Sequence, residues 1–353
     1  MATILLGNGF DIELGGRDYT NKSIINRLIK NIETKDYSNT LLNRKIGNDE
    51  LKVLLPGLYD EFKKMLKGQY DKYCTDAKDI SLLTMLKTRY GLSTQIDEIG
   101  MEDFFVILRL FHTRFHDGAD FIKSTHDGFC WMFLDTIFNE ERIQKIASTV
   151  LPAYKRYLAA TLGAYDSIYT INYDKTAEII AEKEVYYLHG DFETLFDQYN
   201  PDTLIGRYYC EKGVANPVNS ATKHIYCNGL MGFSGAYKEH IMEIMDNGQF
   251  GVESILKSYN EGMAVQDLKK LERLKNSPDE GEQLAFGIIS AKINFPHLGM
   301  HQYPIKKFRS ITSELHIIGV SPYNDEHIWG SIIGNPRLTK IIYYYHGGSK
   351  ATS

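Results

Sequence analysis

Four short stretches of the chain gather side chains that could bind or cleave a nucleotide, and each stands at the end of an apolar run. In the first, Ile4 to Ile12 (ILLGNGFDI), aliphatic residues give way to Gly7, Asn8 and Gly9, then Phe10 and Asp11. A strand feeding a glycine turn and a helix lets backbone N–H groups reach a phosphate with no Cβ in the way. The dinucleotide fingerprint has a third glycine three residues after the second; Ile12 stands there, and Gly15 and Gly16 come later. Gly7 and Gly9 by themselves therefore also fit a plain tight turn. The second stretch, Ser167 to Asp174 (SIYTINYD), runs into Asn172, Tyr173 and Asp174. The third, Val185 to Gly190 (VYYLHG), presents His189, and the fourth, Leu315 to Asp325 (LHIIGVSPYND), presents Gly319, Ser321 and Asp325. Open α/β sheets bind ligands at the carboxyl ends of their strands, where these residues are expected.

Each of these residues also has a purely structural use. A lone histidine such as His189 is commonly a satisfied core residue. Asn172 can close a strand end by hydrogen bonding, and Asp174 can cap a helix beginning near Lys175. Other candidate chemistry is weaker. His112 and His116 stand four apart in a helical stretch, but Thr113 replaces the glutamate of the helical zinc signature, and Phe111 and Phe115 suggest a packing face. Ser321 lacks the Gly-x-Ser-x-Gly elbow because Tyr323 takes its last position, so it fits nucleotide hydrogen bonding better than nucleophilic attack. Lys306, Lys307 and Arg309 form a short basic cluster of the kind usually found on a solvated surface.

The elements that must position the four stretches follow from periodicity. Strand signals occur at the four stretches and again at Ile341 to Tyr345 (IIYYY), which reads as a last sheet strand ended by His346, Gly347 and Gly348. Between about Asn21 and Leu162 the apolar spacing is helical, as in Ile24, Ile25, Leu28 and Ile29, and in Phe104, Phe105, Leu108, Phe111 and Phe115. Thr20 or Asn21 can cap the first of these helices, and the Gly91 to Gly100 stretch separates two of them. A second polar helical stretch lies between roughly Gly235 and Ala291; within it Asp267 to Lys275 (DLKKLERLK) carries Leu268, Leu271 and Leu274 on a solvated amphipathic helix, followed by a turn, NSPDEGEQ. The expected organisation is an α/β core of residues 1–20 and 163–353, with residues 21–162 as a large α-helical insertion after the first strand-helix unit.

At 353 residues the chain can bury a sizeable core. A formal charge of -5 gives no general attraction for polyanions, so direct nucleic-acid binding is not expected. Cys74, Cys130, Cys210 and Cys227 are widely spaced, as in a reducing compartment, and no apolar run is long enough to span a bilayer, so a cytoplasmic protein away from membranes is expected. The chain has 24 Tyr and 17 Phe, most of which are expected in the core or in half-buried strands.

Taken together, GNGFD, TINYD, the following LHG and GVSPYND resemble, in this order, the blocks of the AbiH-like phage abortive-infection family, itself similar to sirtuin-like NAD-binding proteins. The resemblance covers four short blocks across most of the chain. Within it Asp18 stands in place of the family's Thr, Tyr19 is shifted by about one position, and Asn8 and Asp11 replace the small residues of the sirtuin turn. The two C-x-x-C pairs of the sirtuin zinc ribbon are lacking, so peptide deacylation is not expected and no metal is. The resemblance implies a Rossmann-like (sirtuin-like) parallel sheet flanked by helices, and an NAD-consuming hydrolase that cleaves the nicotinamide-ribose bond as an anti-phage effector. NAD would be substrate. Asn172 and His189 would be catalytic, His189 as proton acceptor, while Gly7, Asn8, Gly9, Phe10, Asp11, Asp174, Gly319, Ser321 and Asp325 would hold the dinucleotide. A homo-oligomer or a defence-system partner would restrain the activity. The alternative is a non-catalytic NAD or dinucleotide sensor, or a scaffold, in a phage-defence complex.

Overall fold

The computed structural model describes residues 2–42, 46–115, 119–194, 221–232, 303–322 and 324–344, with scattered stretches between 234 and 290. His116, Cys210, Tyr323 and residues 345–348 lie outside the described residues, as does part of the turn after Lys275.

Five strands form one all-parallel sheet: β1 (Ala2–Leu6), β2 (Ser167–Thr170), β3 (Val185–Tyr187), β4 (Ser313–Ile318) and β5 (Leu338–Tyr344), in the order β3-β2-β1-β4-β5. β1 is central because it is apolar on both sides: Ile4, Leu5 and Leu6 are 1% exposed or less, as a strand covered on both faces requires. Leu6 is in register with Thr170 on one side and Ile318 on the other, so three strands end together. Parallel strands need crossovers, and helices supply them. On one face Ile4, Leu6 and Ile168 pack with Phe10 of α1 (Asn8–Gly15), Leu162 of α9 (Pro152–Gly163) and Ile180 of α10 (Thr176–Ala181). On the other, Leu5, Tyr169, Leu315 and Ile317 pack with Phe308 of α12 (Ile305–Arg309) and with Ile328 and Ile332 of α13 (Glu326–Ile333).

Between α1 and β2 the described chain is helical: α2 (Asn21–Thr34), α3 (Tyr37–Thr40), α4 (Asn48–Leu66), α5 (Ala77–Arg89), α6 (Asp103–Phe115), α7 (Ala119–Phe138) and α8 (Ile146–Thr149) precede α9. Thr20 caps α2 by accepting from the Ser23 amide at 3.3 Å. An edge-to-face cluster of Phe104, Phe105, Phe129 and Phe133 sits at the centre of this block. Its core is continuous with Tyr173, Phe192, Tyr226 and Met231 from beyond β2, so block and sheet share apolar packing. Phe111 packs on that core as expected, whereas Phe115 is half exposed.

β2 stops at Thr170, two residues before Asn172, because the Thr170 hydroxyl donates to Leu6 O (3.1 Å) and accepts from the Asn172 amide (3.1 Å), turning the chain. β5 starts three residues before Ile341; its exposed Thr339 and Lys340 hide the strand from an apolar reading. Helix α11 (Val265–Lys275) forms where expected, with Leu271 and Leu274 against the core. Among the described residues, no helix is long and apolar enough to cross a membrane.

Candidate functional site

The strand order reverses between β1 and β4, which opens a crevice at their carboxyl ends. The turns leaving the two strands interlock. The Gly7 amide donates to Ile318 O at 2.8 Å and the Gly9 amide to Gly319 O at 3.0 Å. A Cβ on Gly9 would lie 2.5 Å from Gly319 Cα, and Gly319 adopts φ +69°, with a Cβ there falling 2.4 Å from Gly9 Cα. The glycines thus serve a backbone-to-backbone contact: the Gly7 amide is taken by the end of β4 and the Gly9 amide by the turn after it. Asn172 ties in the third strand end, its Nδ2 donating to Gly7 O at 3.1 Å. Asn8 is turned the other way, donating to Tyr19 O at 2.9 Å.

A cavity of about 430 Å³ fills the crevice, a size suited to a small ligand. Eight of the eleven residues singled out from sequence line it: Asn8, Gly9, Asp11, Asn172, His189, Gly319, Ser321 and Asp325. Gly7 sits behind Asn172, and Asp174 behind the cavity wall. Phe10 points away, 4% exposed in the sheet core, because neighbouring residues of a helix face different directions. The helical block supplies the opposite wall through Thr20, Asn21, Arg89, Glu102 and Asp103. Ser321 holds the turn into α13, its hydroxyl accepting from the Asn324 amide at 3.3 Å and its carbonyl from the Asp325 amide at 3.1 Å.

The lining is acidic. Asp11, 2% exposed, is pushed well above the carboxylate range, first by burial and then by the charge of Asp174 beside it, while a hydrogen bond from Asn172 works the other way. Asp174 accepts the Thr176 amide on Oδ1 at 2.8 Å, so it does anchor the start of α10. Asp174 Oδ2 and Asp11 Oδ1 have no donor, and the two carboxyls stand beside each other. His189 is 2% exposed and meets His327 Nε2 to Nε2 at 2.9 Å. Burial, with the Lys238 charge and His327 adding to it, holds His189 well below its ordinary value, and the same burial takes His327 to about 3. Both rings are therefore neutral and weakly basic. Lys238, fully buried, pairs with Glu102. Burial raises Glu102 to about 7 and Asp325 to about 6.

Five residues at this site escaped the sequence reading. His327 lies two residues after Asp325 on the same turn into α13, a proximity that could have flagged it. Arg89 clamps Asp103 through both carboxylate oxygens, at 2.9 and 2.7 Å, and Glu102 and Asp103 form an acidic start to α6. Lys238 carries no sequence signal, since a buried lysine reads as a surface one.

The rejected candidates have other partners. His112 meets Thr125 Oγ1 at 2.9 Å inside the block. Arg309 pairs with Glu239 and Glu243, and Lys307 lies over the Tyr186 ring at 3.5 Å. Cys74, Cys130 and Cys227 are buried. Among the described residues, no group of three or more His, Cys, Asp or Glu side chains is arranged to hold a metal. Comparison with protein-family models, with curated proteins and with solved structures found no match.

Proposed function

We propose that this all-parallel α/β protein is an NAD-consuming hydrolase that cleaves the nicotinamide-ribose bond and acts as a cytoplasmic anti-phage effector. The observation that supports it is the meeting of Asn172 and His189 with the turns after β1 and β4 in one cavity at the point where the strand order reverses. The reaction joins a water oxygen to ribose C1′ and breaks the bond from C1′ to the pyridinium nitrogen; the bonding pair leaves with nicotinamide and one proton is released. Positive charge grows on the ribose in between, and an acidic cavity wall favours it.

The residues suit the ribose and its cationic base better than the diphosphate. Carboxyl groups accept hydroxyl protons, whereas the Gly7 and Gly9 amides are already engaged. The diphosphate therefore runs toward the turn at Ser321, with Asp325 and Gly319 beside it. Asn172 positions the attacking water or a ribose hydroxyl, because its side chain is already oriented by Gly7 O. A neutral, weakly basic His189 orients a ribose hydroxyl rather than taking a proton from water.

The test is nicotinamide release from NAD by the purified protein beside Asn172→Ala and His189→Ala, with NAD binding followed in parallel. Turnover lost at least 100-fold in both variants, with binding retained, supports the hydrolase. Binding without turnover in the wild type turns the reading to a dinucleotide sensor. Neither binding nor turnover removes NAD from the account.

A further inference from the structure

Four carboxyl side chains line the cavity, and three of them are committed. Asp103 is clamped by Arg89, Glu102 is paired with Lys238, and Asp325 accepts from the Ser321 amide at 3.3 Å. Glu102 Oε2 also lacks a donor, but Lys238 pairs with that side chain; Asp11 has no cation beside it, is 2% exposed, faces the cavity, and its Oδ1 has no donor. Behind it Asp174, also 2% exposed, is pinned on one oxygen by the Thr176 amide and left without a donor on the other. A buried carboxyl left without a donor costs stability unless it serves a ligand. The groups facing Asp11 are Asp174 and Asn172 from the turn after β2 and the phenol of Tyr19, which burial keeps neutral across the working pH range.

We propose that Asp11 is a further catalytic residue, whose carboxylate meets the positive charge of the substrate, and that the site therefore selects cationic N-ribosyl compounds over neutral ones. The assignment rests on the hydrolase reading for its substrate but not for its charge preference. Asp11 gives up its proton to solvent as the cationic substrate arrives. It then faces C1′ while the bond to nitrogen breaks, and takes a proton from the water whose oxygen joins C1′. Asp174 is a positioning residue: burial first, and the Asp174 charge after it, keep the proton on Asp11 until a cation arrives.

The test is calorimetric titration of the full chain with 1-methylnicotinamide, a cation, and with neutral nicotinamide, in two buffers of different ionisation enthalpy between pH 5 and 8. The expected result is at least tenfold tighter binding of the cation, with a proton released to buffer. Asp11→Asn should lose both the preference and the proton. Asp174→Asn should keep the preference, and because burial still holds Asp11 up while the Asp174 charge is gone, its proton release and the acid limb of its turnover profile should move to lower pH. Equal affinity for the two probes, no binding of the cation, or a preference that survives in Asp11→Asn overturns the proposal. A preference lost in Asp11→Asn in a protein that never hydrolyses NAD would sink the hydrolase alone; wild-type turnover by Asp11→Asn would sink the assignment alone.

Discussion

Asn172 joins support and chemistry in one side chain, since the amide that faces the cavity also holds the carbonyl of Gly7. Its removal should therefore slow turnover strongly and lower stability only by about 1 kcal/mol, the worth of one hydrogen bond, which urea unfolding would resolve. Gly319 is the opposite case. It lines the cavity, but its φ of +69° and its contact with Gly9 make it structural, and Gly319→Ala should cost about 2–4 kcal/mol in the same assay. Acidity at single residues leaves a mark on stability too. Burial raises Asp325 from 3.8 to about 6, so the fold favours its protonated form. That contribution is full below about pH 4 and is lost as pH rises through about 6. Asp325→Asn should accordingly lose less melting temperature than the wild type between pH 4 and 7. His189 and His327, held low, act in the other direction and are common to both proteins, so the difference between the two profiles reports Asp325.

Among the elements, α5 and α6 are tied by Arg89 and Asp103, and Asp103 is 1% exposed. Breaking such a pair strands a buried charge, so Arg89→Met should cost about 3–5 kcal/mol in urea unfolding and loosen the cavity wall formed by Glu102 and Asp103. The strands were readable as elements where burial on both faces makes the run continuous, as at Ile4 to Leu6, and where apolar residues dominate an alternating strand, as at Leu315 to Ile318. β5 was half hidden, because an edge strand keeps Thr339 and Lys340 in water and breaks the apolar pattern. Helix starts were readable where a side chain closes them, as Thr20 does for α2.

For the whole molecule, the shared core of block and sheet means that the helices from Asn21 to Gly163 and the strands should unfold together. Removing residues 21–162 would bare Tyr173, Phe192, Tyr226 and Met231. That shortened chain should be insoluble or lack near-ultraviolet circular dichroism; a folded, monomeric fragment would contradict the shared core. A substrate that fills the cavity should raise the melting temperature, by about 2.7 kcal/mol of stability at a hundred times its Kd. The sequence by itself determined the α/β class, the helical stretch between the first two strands, and the residues at the strand ends, because periodicity and the switch from apolar to polar side chains are local properties. Only the tertiary structure decided that β1 lies between β2 and β4 and that Gly7 and Gly9 meet the turn after β4. It also decided that Asp11 faces Asp174 and that Lys238, Glu102 and His327 join the site. Those are contacts between residues far apart in the chain, and the burial and charge environment that follow depend on distances that no local pattern encodes.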